Sequence, residues 1–201
     1  EIEKTQKALT NSGYFQQAII TPEPSKIKDN KVPIHIYLVP VNKKSYTFGA
    51  GYGSDTGLRG LANITNNYLN KYGHKLKISA QMAEKSQNIT TTYTIPGSKP
   101  RHHYYTITGA LSNFTIHKNN SLAKKITVGS TLLYPHWENI ISLNALDESY
   151  SLKNISTKAT IIYPMLHLEY KNTDQRQTLA IHNGIIINFN VVGAPKRLSN
   201  T

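Results

Sequence analysis

The 201-residue sequence contains no cysteine, which excludes a disulfide framework, a zinc knuckle and a thiol nucleophile and leaves the redox compartment open. It has no apolar run near the roughly 18 residues that a membrane helix needs. Its greasiest stretch, Ile185 to Val192, is interrupted by Asn188 and Asn190. Hydrophobic residues make up only 38% and charged residues 17%, a composition that fits neither a helical membrane protein nor a disordered chain. Any passage through a bilayer must therefore use β-strands. Phenylalanine is scarce, at four against thirteen tyrosines, and that balance suits half-wet surfaces such as barrel girdles or binding faces.

Positive charge is abundant, with a formal net charge of +12. The lysines are scattered through turns and polar strand faces, as at Lys43, Lys44, Lys75, Lys77, Lys124, Lys125 and Lys153, and form no helix stripe or recognition motif. Nucleic acid is therefore not expected as a partner, and attraction to anionic lipid head groups or plain solubility accounts for the charge.

Residues 1–43 predict a small α/β piece. A helix-like start, Glu1 to Leu9, is stopped by Asn11-Ser12-Gly13, and strands follow at Tyr14 to Thr21 and Val32 to Val39 around a polar loop. One helix and two strands cannot close a core, so this piece reads as the tail of a larger module. From residue 44 onward the period changes to two. In KSYTFGAGYG, Tyr46, Phe48, Ala50 and Tyr52 alternate with Thr47, Gly49, Gly51 and Gly53, giving a strand with one greasy face and one nearly bare face. Ser54-Asp55-Thr56-Gly57 then turns the chain.

About eight further strands are expected. Leu76, Ile78, Ala80 and Met82 oppose Lys75, Lys77, Ser79 and Gln81. Ile89, Thr91, Tyr93 and Ile95 precede a Pro96-Gly97 turn, and Tyr105, Ile107, Gly109 and Leu111 oppose Tyr104, Thr106, Thr108 and Ser112. Lys118 to Ser121 reads as a polar tip, Asp147 to Ser156 as a polar loop, and the strand from Thr157 to Tyr170 as bent or interrupted at Pro164. A last strand carries Leu179, Ile181, Ile185, Ile187 and Phe189 on one face. The expected fold of residues 44–201 is thus an antiparallel meander of about nine strands, each long enough for the roughly 9–11 tilted residues of a membrane β-strand.

GYGSDTGLRG, then NKYGHKLKIS, then TTYTIPG at this spacing resembles the start of the barrel in the bacterial outer-membrane assembly factors of the BamA/TamA family, closest to its TamA branch. NSGYF and VPIHIYLVPVNKKSY resemble the end of a POTRA domain. The resemblance implies the C-terminal part of a POTRA-like domain at residues 1–43 in the periplasm and about the first half of a transmembrane barrel at residues 44–201. It implies a non-enzymatic role, without cofactor or metal, in inserting or secreting β-rich outer-membrane proteins such as autotransporters. The implied partners are outer-membrane lipid, a TamB-like periplasm-spanning subunit and unfolded clients. The residues it singles out are a lateral-gate first strand, Ser45, Tyr46, Thr47, Phe48, Gly49, Ala50, Gly51, Tyr52 and Gly53, and the turn Ser54, Asp55, Thr56 and Gly57. A two-partner secretion pore shares this plan, and a soluble β-sandwich binding module would use the same strands differently.

Other constellations have simpler readings. Asp55-Thr56-Gly57 matches the aspartic-protease tripeptide but occurs once and lacks the preceding apolar run, so a turn explains it. The glycines of residues 49–53 lack the lysine and the helix of a phosphate loop. His102 and His103 point to opposite faces of a strand and cannot share one ion, whereas with Tyr104 and Tyr105 they suit an interfacial girdle. No GxSxG elbow is present, and Asp147, Glu148, Glu169 and Asp174 have no recognisable catalytic partner.

Overall fold

The computed structural model describes residues 2–10, 12–27, 31–54, 57–99, 102–116, 119–152, 155–173, 184–193 and 199–200. The chain divides into two compact units, Glu1–Lys43 and Lys44–Thr201.

In the first unit, helix α1 (Ile2–Thr10) precedes β1 (Phe15–Pro22), a single 3-10 turn (Pro24–Lys26) and β2 (Ile34–Pro40). Ser12 Oγ donates to the Leu9 carbonyl at 2.6 Å and Gly13 adopts φ 71°, which closes the helix in the left-handed manner open to glycine. β1 and β2 pair antiparallel, with a register shift between Phe15 and Gln17. Ala18, 3% exposed, is the one buried apolar side chain among the described residues, so this unit holds almost no core.

The second unit is one antiparallel meander. Its strands are β3 (Lys44–Gly53), β4 (Gly57–Asn66), β5 (Lys75–Ala83), β6 (Ser86–Pro96), β7 (His103–Ile116), β8 (Asn119–Leu133), β9 (Trp137–Leu152), β10 (Ile155–Thr173) and β11 (Gly184–Val192), and each pairs with the next in sequence. A two-residue strand, β12 (Ser199–Asn200), adds to β10. The sheet is open, with β3 and β11 at its two edges. Cross-strand ladders hold each strand extended, and sequential connections bring each strand beside the one just made.

Residues directly opposite in an antiparallel ladder share a face, so the pairing traces rows across the sheet. One row runs Tyr46, Ile64, Ile78, Thr91, Gly109, Ile126 and Ala145, and the neighbouring row on the other face runs Thr47, Asn63, Ser79, Thr90, Ala110, Lys125 and Leu146. Across β8 and β9 the face carrying the second row is the covered one. Thr131, Ser142 and Asn144 on it are 3%, 5% and 1% exposed, while Ile141 and Leu143, between them on β9, are 60% and 56% exposed. Polar side chains inside and apolar side chains outside invert the arrangement of a water-soluble core and match that of a transmembrane barrel wall. Because the unit is a single sheet, its apolar side chains are not closed between two layers as a β-sandwich would close them. Tyr46, Phe48, Leu76, Ile78, Tyr93, Ile95, Ile107 and Ile187 all share the outer face, whereas Leu179 and Ile181 lie outside the described residues.

Three sequence expectations are corrected. Asn120 and Ser121, read as part of a polar tip, lie in β8, whose ladder with β7 reaches Ile116↔Asn119. The polar stretch from Asp147 also stays in the ladder, because β9 continues to Leu152 and β10 begins at Ile155, with Ser151 opposite Ser156. Hydrophobicity marks only where a strand meets an apolar medium, and backbone pairing continues past that limit. The third correction is Pro164, which interrupts nothing: β10 keeps its register with β9 through Pro164↔Leu143. The Pro164 carbonyl accepts the Gly193 N–H at 3.2 Å, so the missing donor points to the same side, where β11 has just ended.

These corrections give hairpins of unequal reach. β3 to β6 run 10, 10, 9 and 11 residues, while β7 to β10 run 14, 15, 16 and 19. On the outer face of β9 the apolar band lies between Trp137 and Asp147, ten residue steps that rise roughly 33 Å along the strand, or about 25 Å at a ~40° tilt. That is the height of the lipid-facing band of an outer-membrane barrel. Val128, 52% exposed at the middle of this band on β8, is expected to cost about 2–4 kcal/mol when changed to lysine in a bilayer, whereas Thr90→Lys on the inner wall is expected to stay within about 1 kcal/mol. Denaturant unfolding of the two variants in lipid vesicles checks this, and equal losses would contradict the assignment of faces.

Candidate functional site

β3 is paired on one side only. Ten unshifted pairs join it to β4, from Lys44↔Asn66 to Gly53↔Gly57, and among the described residues no strand covers its other edge. The structure gathers all nine first-strand residues into this one edge strand. Tyr46, Phe48 and Tyr52 project outward, 56%, 74% and 75% exposed, while Ser45, Thr47, Gly49, Gly51 and Gly53 line the inner side. A Cβ built on Gly49 would lie 3.7 Å from Leu61 Cβ, an ordinary contact, and one on Gly51 would meet the mobile Arg59 side chain at 3.3 Å. Neither glycine is forced by crowding. What they supply is a bare wall and a loose strand. Beside them lies a groove of about 480 Å³, lined among others by Gly49, Gly51, Arg59, Leu61, Gln81 and Ser86. The chemistry on offer here is backbone chemistry: an unfilled row of N–H and C=O groups able to accept another strand.

The turn after β3 is held by a residue from another hairpin, which sequence reasoning missed. Gly57 adopts φ 71°, and the Glu84 carboxylate occupies the space that a side chain at Gly57 would fill, accepting the Leu58 N–H at 3.3 Å. Ser54 begins the turn, and Asp55 and Thr56 lie outside the described residues. No local pattern marks Glu84. The signal available was its place in the tight β5–β6 turn, which the ladder Arg59↔Ala83 sets beside the start of β4.

The inner wall is tied together by short polar side chains across neighbouring strands. Ser79 donates to Asn63, Ser112 to Asn88 at 3.1 Å, Thr108 to Thr92 at 3.3 Å and Thr127 to Asn144 at 2.8 Å. Asn144 donates in turn to Ser142 at 3.2 Å and to the Tyr163 carbonyl at 3.4 Å, so the most deeply buried side chain of the sheet is satisfied on both its atoms. At the end where β3 begins, aromatic and histidine side chains gather. His74 Nδ1 lies 2.6 Å from Tyr93 Oη, His103 packs on Tyr105 with ring centroids 4.5 Å apart, and Trp137 packs on Tyr170 at 4.8 Å. His102 and His103 take separate partners, the Leu133 carbonyl at 3.0 Å and Ser130 Oγ at 3.1 Å. Among the described residues no three His, Asp or Glu side chains are grouped to hold a metal.

The Gly57 contact generates a stability test. Gly57→Val forces a β-branched residue into the left-handed region and displaces Glu84, with an expected loss of about 1–3 kcal/mol. Glu84→Ala removes only an exposed hydrogen bond and is expected to cost about 1 kcal/mol or less. Thermal unfolding in detergent measures both, and a neutral Gly57→Val would contradict the turn geometry.

No family model matches the sequence. The structure is similar to the crystal structure of BamA from Haemophilus ducreyi lacking POTRA domains 1–3, with a TM-score of 0.69 and 15% identity, over 97% of this chain and 42% of that one. The chain thus spans less than half the length of the protein chain it matches. At that identity the likeness is one of fold: the open nine-strand meander, with a short helix ahead of it, has the BamA/TamA-like barrel fold and corresponds to half of such a barrel.

Proposed function

We propose that this chain supplies part of the barrel of an outer-membrane assembly factor of the TamA branch and acts without enzymatic chemistry. The observation that carries the reading is β3: a free ladder edge, with a bare glycine-lined inner side, at the border of a sheet that buries Thr131, Ser142 and Asn144 on one face and exposes large apolar side chains on the other. The GYGSDTG and YGH stretches, which resemble the TamA branch, support the same reading over a two-partner secretion pore. In this reading residues 44–201 lie in the bacterial outer membrane, and residues 1–43 end a POTRA-like domain in the periplasm, where a TamB-like subunit would engage.

The physical step is strand exchange at a weak seam. A strand with three glycines on one face has little side-chain packing to hold it against whatever strand closes the barrel. Opening there exposes N–H and C=O groups in a region without water to satisfy them. An incoming client strand, such as one of an autotransporter, relieves that cost by pairing with β3 and so enters the membrane as a strand already hydrogen-bonded.

Cysteines at Thr47 or Gly49, paired with cysteines on the strand that faces β3 in the intact protein, test the seam. The expected outcome is loss of autotransporter surface display when the disulfide forms, recovery on reduction, and unchanged barrel folding in both states. Undiminished display with a complete crosslink would rule out opening at β3.

A further inference from the structure

The two ends of the outer face carry charge differently. At the end where β3 begins, the β4–β5 and β6–β7 turns stand side by side, because Lys75 pairs with Thr94 across β5 and β6. Lys71 Nζ lies 5.3 Å from the ring centroid of Tyr72, which is 68% exposed. Lys99, exposed in the neighbouring turn, offers its carbonyl to the His102 and His103 N–H groups at 2.8 Å each. Among the described residues neither Lys71 nor Lys99 has a carboxylate partner. The outward aromatics next to these turns, Tyr93, Tyr105, Trp137 and Tyr170, mark the level where hydrocarbon gives way to head groups.

At the opposite end the outer lysines meet acid. Lys158 Nζ lies 3.8 Å from Asp147, Lys124 stands opposite Asp147 in the ladder, and the rows crossing there from Leu111 to Thr160 and from Asn113 to Lys158 carry no aromatic side chain. A phosphate meeting Lys124 or Lys158 must compete with that carboxylate. One meeting Lys71 or Lys99 does not.

We propose that the turns bearing Lys71 and Lys99 form a binding rim for anionic phospholipid head groups, in which the two ammoniums take the phosphodiester of a phosphatidylglycerol-type lipid and Tyr72 and Tyr93 sit at the top of its acyl chains. A zwitterionic head group fits this rim less well, because it brings its own cation to two unneutralised lysines. The inference rests on the membrane reading proposed above and adds a lipid class and a side of the bilayer to it. Under that reading the rim lies on the side that β3 enters from, next to the seam, so the bound lipid would border the site of client entry.

The test uses the full-length protein in nanodiscs of phosphatidylcholine containing a minor share of phosphatidylglycerol, with the lipids that stay bound in mild detergent identified by mass spectrometry. The expected result is retention of phosphatidylglycerol above its share. Lys71→Gln and Lys99→Gln each reduce that enrichment by up to about fivefold, Lys124→Gln with Lys158→Gln leaves it unchanged, and high salt erases it. Retention in proportion to the mixture, or equal loss at both ends, overturns the rim while leaving the membrane reading intact if the protein still inserts into pure phosphatidylcholine. Failure to insert into any bilayer overturns both.

Discussion

Backbone hydrogen bonding is the constraint on which the rest of this structure depends. A strand in an apolar medium cannot leave its N–H and C=O groups to water, so each must be met by a neighbouring strand. The meander does this from β4 to β10 by pairing every strand with the one before and the one after it. Once the ladders take up the backbone, side chains are free to be apolar on one face and polar on the other, and the period-two pattern follows. The same constraint makes the edges consequential. β3 and β11 each have one unpaired side in the open sheet, and in the proposed function β3 is the edge at which another chain is received.

The covered face shows how such a wall holds together without an apolar core. Small hydroxyl and amide side chains link adjacent strands, and the buried Asn144 collects Thr127, Ser142 and the Tyr163 carbonyl into one cluster on β8, β9 and β10. Asn144 is tolerable at this depth because both its polar atoms are satisfied. Towards β3 this cross-linking thins, since Gly49, Gly51 and Gly53 offer nothing to bond. Cohesion therefore declines from β9 to the edge where strand exchange is proposed, and the turn beyond that edge is held from outside, by Glu84.

In the proposed membrane reading, the long hairpins and the aromatic rim set where the bilayer meets the sheet. Trp137, Tyr170, Tyr93 and Tyr105 mark one boundary, and the Lys124, Asp147 and Lys158 group marks the other. Beyond the second boundary β7 to β10 continue as paired strands, a polar extension held by its ladders and by the Ser121–Glu148 hydrogen bond at 2.7 Å. In that reading the lipid-facing band, the seam and the extension occupy different parts of one sheet.

Most of the architecture was legible in the sequence because a two-sided strand writes its face into every second residue. The alternation at Tyr46 to Gly53 and at Lys75 to Met82, the turn residues and the absence of any long apolar run were enough to give the meander, its approximate strand number and the faces of β3, β5, β6, β7 and β11. Three features needed the tertiary structure. The extent of β8, β9 and β10 was hidden because polar residues beyond the apolar band look like loop while their backbones are still paired. Pro164 looked like a break because only the folded sheet shows that its missing donor falls on the side where β11 has just ended. Glu84 was invisible because its contact with Gly57 joins hairpins 27 residues apart, and no local rule records which hairpin ends meet. Local periodicity is set by side-chain chemistry along one strand, whereas strand ends and hairpin-to-hairpin contacts are set by which neighbour is present. That is why the sequence by itself determined the order of the strands and the faces of those that alternate, and only the folded sheet decided the other faces, where the strands stop and what supports the turn beside the first one.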